Sequence, residues 1–77
     1  MSMLLSIAFC SAITCEEYIV DHNLTRSDCI EHMQEERNFL MSLPVEKAYQ
    51  EYMESFKAEH MNGKAKSWEI NCVKESK

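Results

Sequence analysis

Residues 1–20 read MSMLLSIAFCSAITCEEYIV, and how this stretch is taken decides the fold. With a period of two, Met3, Leu5, Ile7 and Phe9 form a face of large apolar side chains. Leu4, Ser6, Ala8 and Cys10 form the other, mostly small, face. Residues 15–20, CEEYIV, are rich in strand formers. If residues 11–14 form a loop between two strands, Cys10 faces Cys15, Ile7 faces Tyr18 and Leu5 faces Val20. The large side chains of both strands then share one side of the sheet. Such agreement fixes register, because a slip of one residue would turn every side chain over. The competing reading is the apolar part of a secretory signal. Against it, the first base is Arg26, so the positive start is missing, and the run is too short to span a bilayer. The loop contains no glycine, so sequence alone leaves both readings open.

Beyond residue 20 the period changes. His22 falls in a turn, and Thr25 is placed as the N-cap of a helix, with Asp28 where a capping-box acid reaches back. Ile30, Met33, Arg37 and Leu40 follow at helical spacing with Cys29 beside them, and Pro44 ends the helix near Ser42. Pro44 also suits the first turn of a second helix. That helix carries Val45, Tyr49, Tyr52, Phe56 and His60 on one stripe, widened by Ala48 and Met53. Asn62 and Gly63 provide its expected stop. Residues 67–73, SWEINCV, alternate as a strand with Trp68, Ile70 and Cys72 on one side. The expected fold is a single α+β domain over residues 1–77, ordered ββααβ. A small three-stranded sheet carries an antiparallel helical hairpin on one face.

A chain of 77 residues buries a modest core, worth about 3–5 kcal/mol net, so staples matter. Cys10, Cys15, Cys29 and Cys72 are the candidates. The strand register sets Cys10 beside Cys15 on the outer face, and puts Cys72 on the face towards the helix that holds Cys29. Two disulfides follow as an expectation, Cys10–Cys15 and Cys29–Cys72, with Cys15–Cys29 as the rival pairing. Ordinary buried thiols are the alternative in a reducing cytosol. A zinc site from Cys10, Cys15, Cys29 and His32 has acceptable ligand types but no recognised spacing.

The charge is one-sided. Residues 1–40 hold seven acids and two bases, while residues 41–77 hold six of each, so the whole net charge of −5 sits in the first half. This disfavours nucleic acid or an anionic membrane as ligand and suits a partner protein with a basic surface. Catalytic constellations are missing. His22, His32 and His60 are scattered, and the paired acids Glu16-Glu17 and Glu35-Glu36 are sequence neighbours that do not share a face. With one glycine, a phosphate-binding loop is excluded. No enzyme activity and no cofactor are expected. Tyr49, Tyr52, Phe56 and Trp68 read as core, whereas Met1, Phe39, Met41, Leu43 and Met61 fall off the stripes and suit a partner surface.

The order of the first half is an apolar start, MSMLLSIAFC, then Cys15-Glu16-x-Tyr18-Ile19-Val20-Asp21, then Leu24-Thr25-x-x-Asp28-Cys29. This layout resembles a group of very short lambda-like phage and prophage proteins over residues 1–36; the later helix and strand lie outside it. The resemblance implies a small accessory protein of the kind that binds and inhibits or modulates a host protein, in the host cytoplasm. Small exported phage exclusion proteins share the cysteine-and-helix style, which implies a second reading: an exported, disulfide-stapled exclusion or lysis-control protein of the periplasm. A third is a small structural homodimer or virion component. The candidate partner-binding residues are Glu31, Glu35 and Glu36 of the first helix, and Leu4 and Ile19 on the outer sheet face.

Overall fold

The computed structural model describes residues 2–58 and 64–75. The elements in chain order are β1 (Met3–Cys10), β2 (Cys15–Leu24), α1 (Arg26–Met41), α2 (Val45–Phe56) and β3 (Ser67–Lys74). The fold is α+β in the expected ββααβ order, with one antiparallel sheet of strand order β2-β1-β3. The most apolar strand, β1, is the central one. Both of its backbone edges are paired, which suits a strand too hydrophobic to be left at an edge. Residues 3–10 are thus the middle of the sheet in this fold, not a segment peripheral to it.

The β1–β2 turn works without glycine because a serine supplies the missing bonds. Ser11 and Thr14 pair through backbone, and Ser11 Oγ accepts the N–H groups of Ile13 and Thr14, each at 3.1 Å. Cys10 then faces Cys15 and Ile7 faces Tyr18, as the alternation requires. Further along, the register departs from expectation. Ser6 pairs with Ile19 but Leu5 pairs with Asp21 rather than Val20, and Met3 pairs with Leu24. Extra residues therefore sit in β2 at two bulges. Asn23 absorbs part of this in the left-handed region, at φ 58°. The bulges carry β2 on to Leu24, so His22 lies in a strand and not in a turn.

The inner face is the core. Leu5, Ile7 and Phe9 are fully buried, with Ile70 from β3 beside them and Met3, Tyr18, Val20, Trp68 and Cys72 packed around. The helices close over it. α1 begins as expected, with Thr25 Oγ1 accepting the Asp28 N–H at 3.1 Å, and ends at Met41 with Ser42 as its cap. Its buried face keeps only part of the expected stripe. Cys29 and Leu40 are buried and Met33 packs on the core, whereas Ile30 and Arg37 are exposed. The inward stripe runs 29, 33, 36, 40, because the Cys29–Cys72 disulfide fixes the rotation of the helix.

α2 buries Ala48, Tyr49, Tyr52 and Met53, the stripe its spacing dictates. It stops at Phe56, earlier than expected. Lys57 turns left-handed at φ 54°, its N–H bonds to the Glu54 carbonyl, and the Ala58 N–H bonds back to the Met53 carbonyl. This is a complete Schellman ending, with Ala58 against the core as the usual apolar contact. Asn62, Gly63 and the stripe residue His60 lie outside the described residues. The helices form an antiparallel pair: Glu36 and Phe39, before the short joint, both meet Tyr52, after it.

The chain re-enters the sheet through residues 64–66. Ala65 N–H donates to Glu46 of α2 at 2.9 Å, and Lys66 N–H donates to the Cys10 carbonyl at 2.7 Å. All four cysteines are paired, Cys10–Cys15 and Cys29–Cys72. These are the two disulfides that the register implies. They leave no thiolate for zinc, and His32 turns to carboxylates instead. Bonds of this type persist in oxidising compartments. Among the described residues, no helix is long and apolar enough to cross a membrane.

Candidate functional site

Two surfaces bring the sequence candidates together. The first is the outer face of the sheet. Because strand side chains alternate, Leu4, Ser6 and Ala8 of β1 lie on the opposite side from Leu5, Ile7 and Phe9. Their neighbours on that side follow from the pairing. Leu4 faces Val73, Ser6 lies between Ile19 and Asn71, and Ala8 lies between Glu17 and Glu69. Both helices pack on the other side, so nothing in the chain's described residues covers this one. Ile19 and Val73 are 47% and 44% exposed, while Ser6 is sealed beneath its neighbours at 3%. The expected Leu4 and Ile19 are thus joined by Val73, which the sequence reading did not single out. Its place was legible only once β3 was paired beside Leu4.

The face has a polarity. One end, Leu4, Ile19 and Val73, is aliphatic. The other has Glu17 and Glu69 flanking the small Ala8, one strand away on each side, and so about 10 Å apart. The outward-facing rows of all three strands carry no lysine or arginine between Leu4 and Cys10.

The second surface is the seam of the two helices. Glu36, Phe39, Glu51, Tyr52 and Ser55 line a groove of about 300 Å³. A chain of polar contacts, one of them a hydrogen bond, runs behind it. Asp21 Oδ2 lies 3.4 Å from His32 Nδ1, His32 Nε2 lies 3.8 Å from Glu36 Oε2, and Tyr52 donates its hydroxyl proton to Glu36 Oε1 at 2.6 Å. The chain ties β2 to α1 and α1 to α2. Burial, and then the Glu36 carboxylate, push the Tyr52 hydroxyl far above its usual range, so it stays protonated and serves as a donor. Burial chiefly, with Tyr49 and Glu16 adding, raises Tyr18 as well.

An aromatic run backs the seam. Tyr18 stacks on Phe56 at 5.6 Å, Tyr52 lies 5.9 Å from Phe56, and Phe39 meets Tyr52 edge-on at 6.2 Å. Of the unplaced apolar residues, Phe39 and Met41 are exposed and Leu43 packs on the core. Met1 and Met61 lie outside the described residues.

The three acidic candidates separate in the structure. Glu31 and Glu35 are exposed and make no hydrogen bond or ion pair among the described residues. Glu36 is half-buried and engaged by Tyr52 and His32. Glu51, exposed on α2, stands in the groove without an ion pair among the described residues. Among the described residues, no group of three or more His, Cys, Asp or Glu side chains is arranged to hold a metal ion. No protein-family model matches the chain, and neither a curated protein nor a solved structure matches it.

Proposed function

We propose that this chain is a small disulfide-stapled binding module that docks on another protein through the outer face of its sheet. One observation carries the reading. Among the described residues the three-stranded sheet is roofed on one face only, and the open face presents Leu4, Ile19 and Val73. Aliphatic side chains exposed on one face of a rigid, well-paired sheet favour burial against a partner. Glu17 and Glu69 at the other end, with exposed Glu31 and Glu35 on α1, suit a partner with a basic surface. Those charges would speed association more than they add affinity.

The resemblance of residues 1–36 supports reading this module as a phage accessory protein directed at a host factor. The two disulfides favour an oxidising compartment as its place of action over the cytoplasm, and so favour the exported form of that reading. The same open face also supports a homodimer, the second reading.

The test compares oxidised wild type with Ile19→Ser/Val73→Ser as bait against periplasmic and cytoplasmic extracts, with sedimentation of each protein alone. A protein retained by the wild type, released by salt and lost with the double variant supports the module. Equal capture by both baits sinks the outer-face reading. A wild-type dimer that the variant abolishes moves the conclusion to the homodimer.

A further inference from the structure

The groove between α1 and α2 has a chemistry of its own. Its walls are two carboxylates, Glu36 and Glu51, two aromatic rings, Phe39 and Tyr52, and the Ser55 hydroxyl. Among the described residues, no lysine or arginine lines it. Glu36 gives one oxygen to the Tyr52 hydroxyl, which orients the carboxylate and leaves the other oxygen, 3.8 Å from His32, able to accept more. Phe39 is 43% exposed, an unusual position for a phenyl ring in a chain whose other phenylalanines pack inward. A negative site faced with aromatic surface fits one class of ligand, an organic cation.

We propose that this groove is a receptor for an arginine side chain of a partner protein. A guanidinium is planar and weakly hydrated. It can lie against the Phe39 ring while its N–H fork donates to a carboxylate. A lysine ammonium is compact and strongly hydrated and has no flat face to offer, so the aromatic wall would be of less use to it. The exposed Glu35 sits one helical turn before Phe39 on α1 and adds attraction at the rim. The site is separate from the outer sheet face, and the assignment does not rest on the docking proposed there.

The probe is N-acetyl-argininamide, titrated into the oxidised full chain and followed by NMR. Saturable shifts should centre on Phe39, Glu51, Tyr52 and Ser55. N-acetyl-lysinamide should bind more weakly. Phe39→Ala and Glu51→Gln should each weaken the arginine probe by about threefold to tenfold. Both positions are exposed, so both variants should keep the wild-type spectrum away from the groove. Ile19→Ser/Val73→Ser should leave the probe affinity unchanged, which separates failure of this site from failure of the outer face. Several outcomes overturn the assignment. They are non-saturable shifts at the groove, equal binding of the lysine and arginine probes with no loss in Phe39→Ala, and tighter binding of free arginine than of the amide, which points to a small-molecule site. Groove shifts that grow with protein concentration alone would assign it to a second copy of the chain.

Discussion

The two faces of one sheet live under different rules. Leu5, Ile7 and Phe9 point into the roofed side and are fully buried, whereas Leu4, Ser6 and Ala8 alternate with them along the same strand and lie under no other element among the described residues. The strand that supplies both faces is one eight-residue run. The inner face holds the molecule together, and its residues are large because they must fill the space beneath two helices. The outer face contributes little to that task, yet it keeps Ile19 and Val73 in view of solvent. The proposed docking rests on that exposed aliphatic surface.

The sharpest test of this contrast truncates one face and then the other. Phe9 touches both Tyr49 and Tyr52, at ring separations of 5.2 and 5.7 Å. Phe9→Ala should cost about 3–5 kcal/mol, which is comparable to the whole stability of a domain this size, so urea titration should find it largely unfolded. Ile19→Ser/Val73→Ser should move the midpoint by only about 0.5 kcal/mol per site. A large loss from the outer pair would mean that the outer face is structural after all.

The disulfides divide along the same line. Cys29–Cys72 links the roof to the inner face across 43 residues, and Cys10–Cys15 clips the outer face across 5. On the chain-entropy account they contribute about 4 and 2 kcal/mol. Cys29→Ala/Cys72→Ala should therefore be close to unfolded at room temperature, and Cys10→Ala/Cys15→Ala should fold with reduced stability, as circular dichroism against denaturant would report. The reverse order would show that the hairpin, not the roof, limits the fold.

Within the roof, Tyr52→Phe removes the bond to Glu36 and should cost about 1–2 kcal/mol. It should also change the alkaline behaviour. The Tyr52 proton is held more tightly folded than unfolded, so the wild type has the full contribution below about pH 10 and loses it as pH rises further. The variant should show a shallower alkaline decline, though not a flat one, because Tyr18 is raised in the same sense. The smallest effect is expected where the roof ends. Lys57 adopts a left-handed conformation that costs a side-chain-bearing residue energy, so Lys57→Gly should stabilise the chain by about 0.5–1 kcal/mol. Destabilisation there would mean that the lysine side chain contributes more than its backbone costs.

Much of this was legible in the residues. The alternation of residues 3–10 placed the two faces, and agreement of that alternation with Cys15 and Tyr18 gave the register near the turn. That register implied Cys10–Cys15, and the alternation of residues 67–73 pointed Cys72 towards the helix of Cys29, with Cys15–Cys29 left as the rival pairing. The candidate surfaces were half legible. Leu4 and Ile19 were found because they share a face by parity, but Val73 and Glu69 needed the pairing of a strand about sixty residues away. Glu36 is expected at a partner surface with Glu31 and Glu35 but is bound to Tyr52, because nothing in a helical pattern says which partner helix lies alongside. Glu51 was passed over for the same reason.

The sequence by itself determined the order of the elements, the two faces of β1, the start of α1 and the nearness of Cys10 to Cys15. These depend on period, on capping and on neighbours a few residues apart, which are interactions any short segment carries with it. Tertiary structure alone decided the bulges of β2, the rotation of α1 to a 29, 33, 36, 40 stripe, the stop of α2 at Lys57, and the groove that brings Phe39, Glu36 and Glu51 together. Each is a compromise between distant segments. A strand must bulge to stay beneath a roof, and a helix must turn to reach a cysteine 43 residues away.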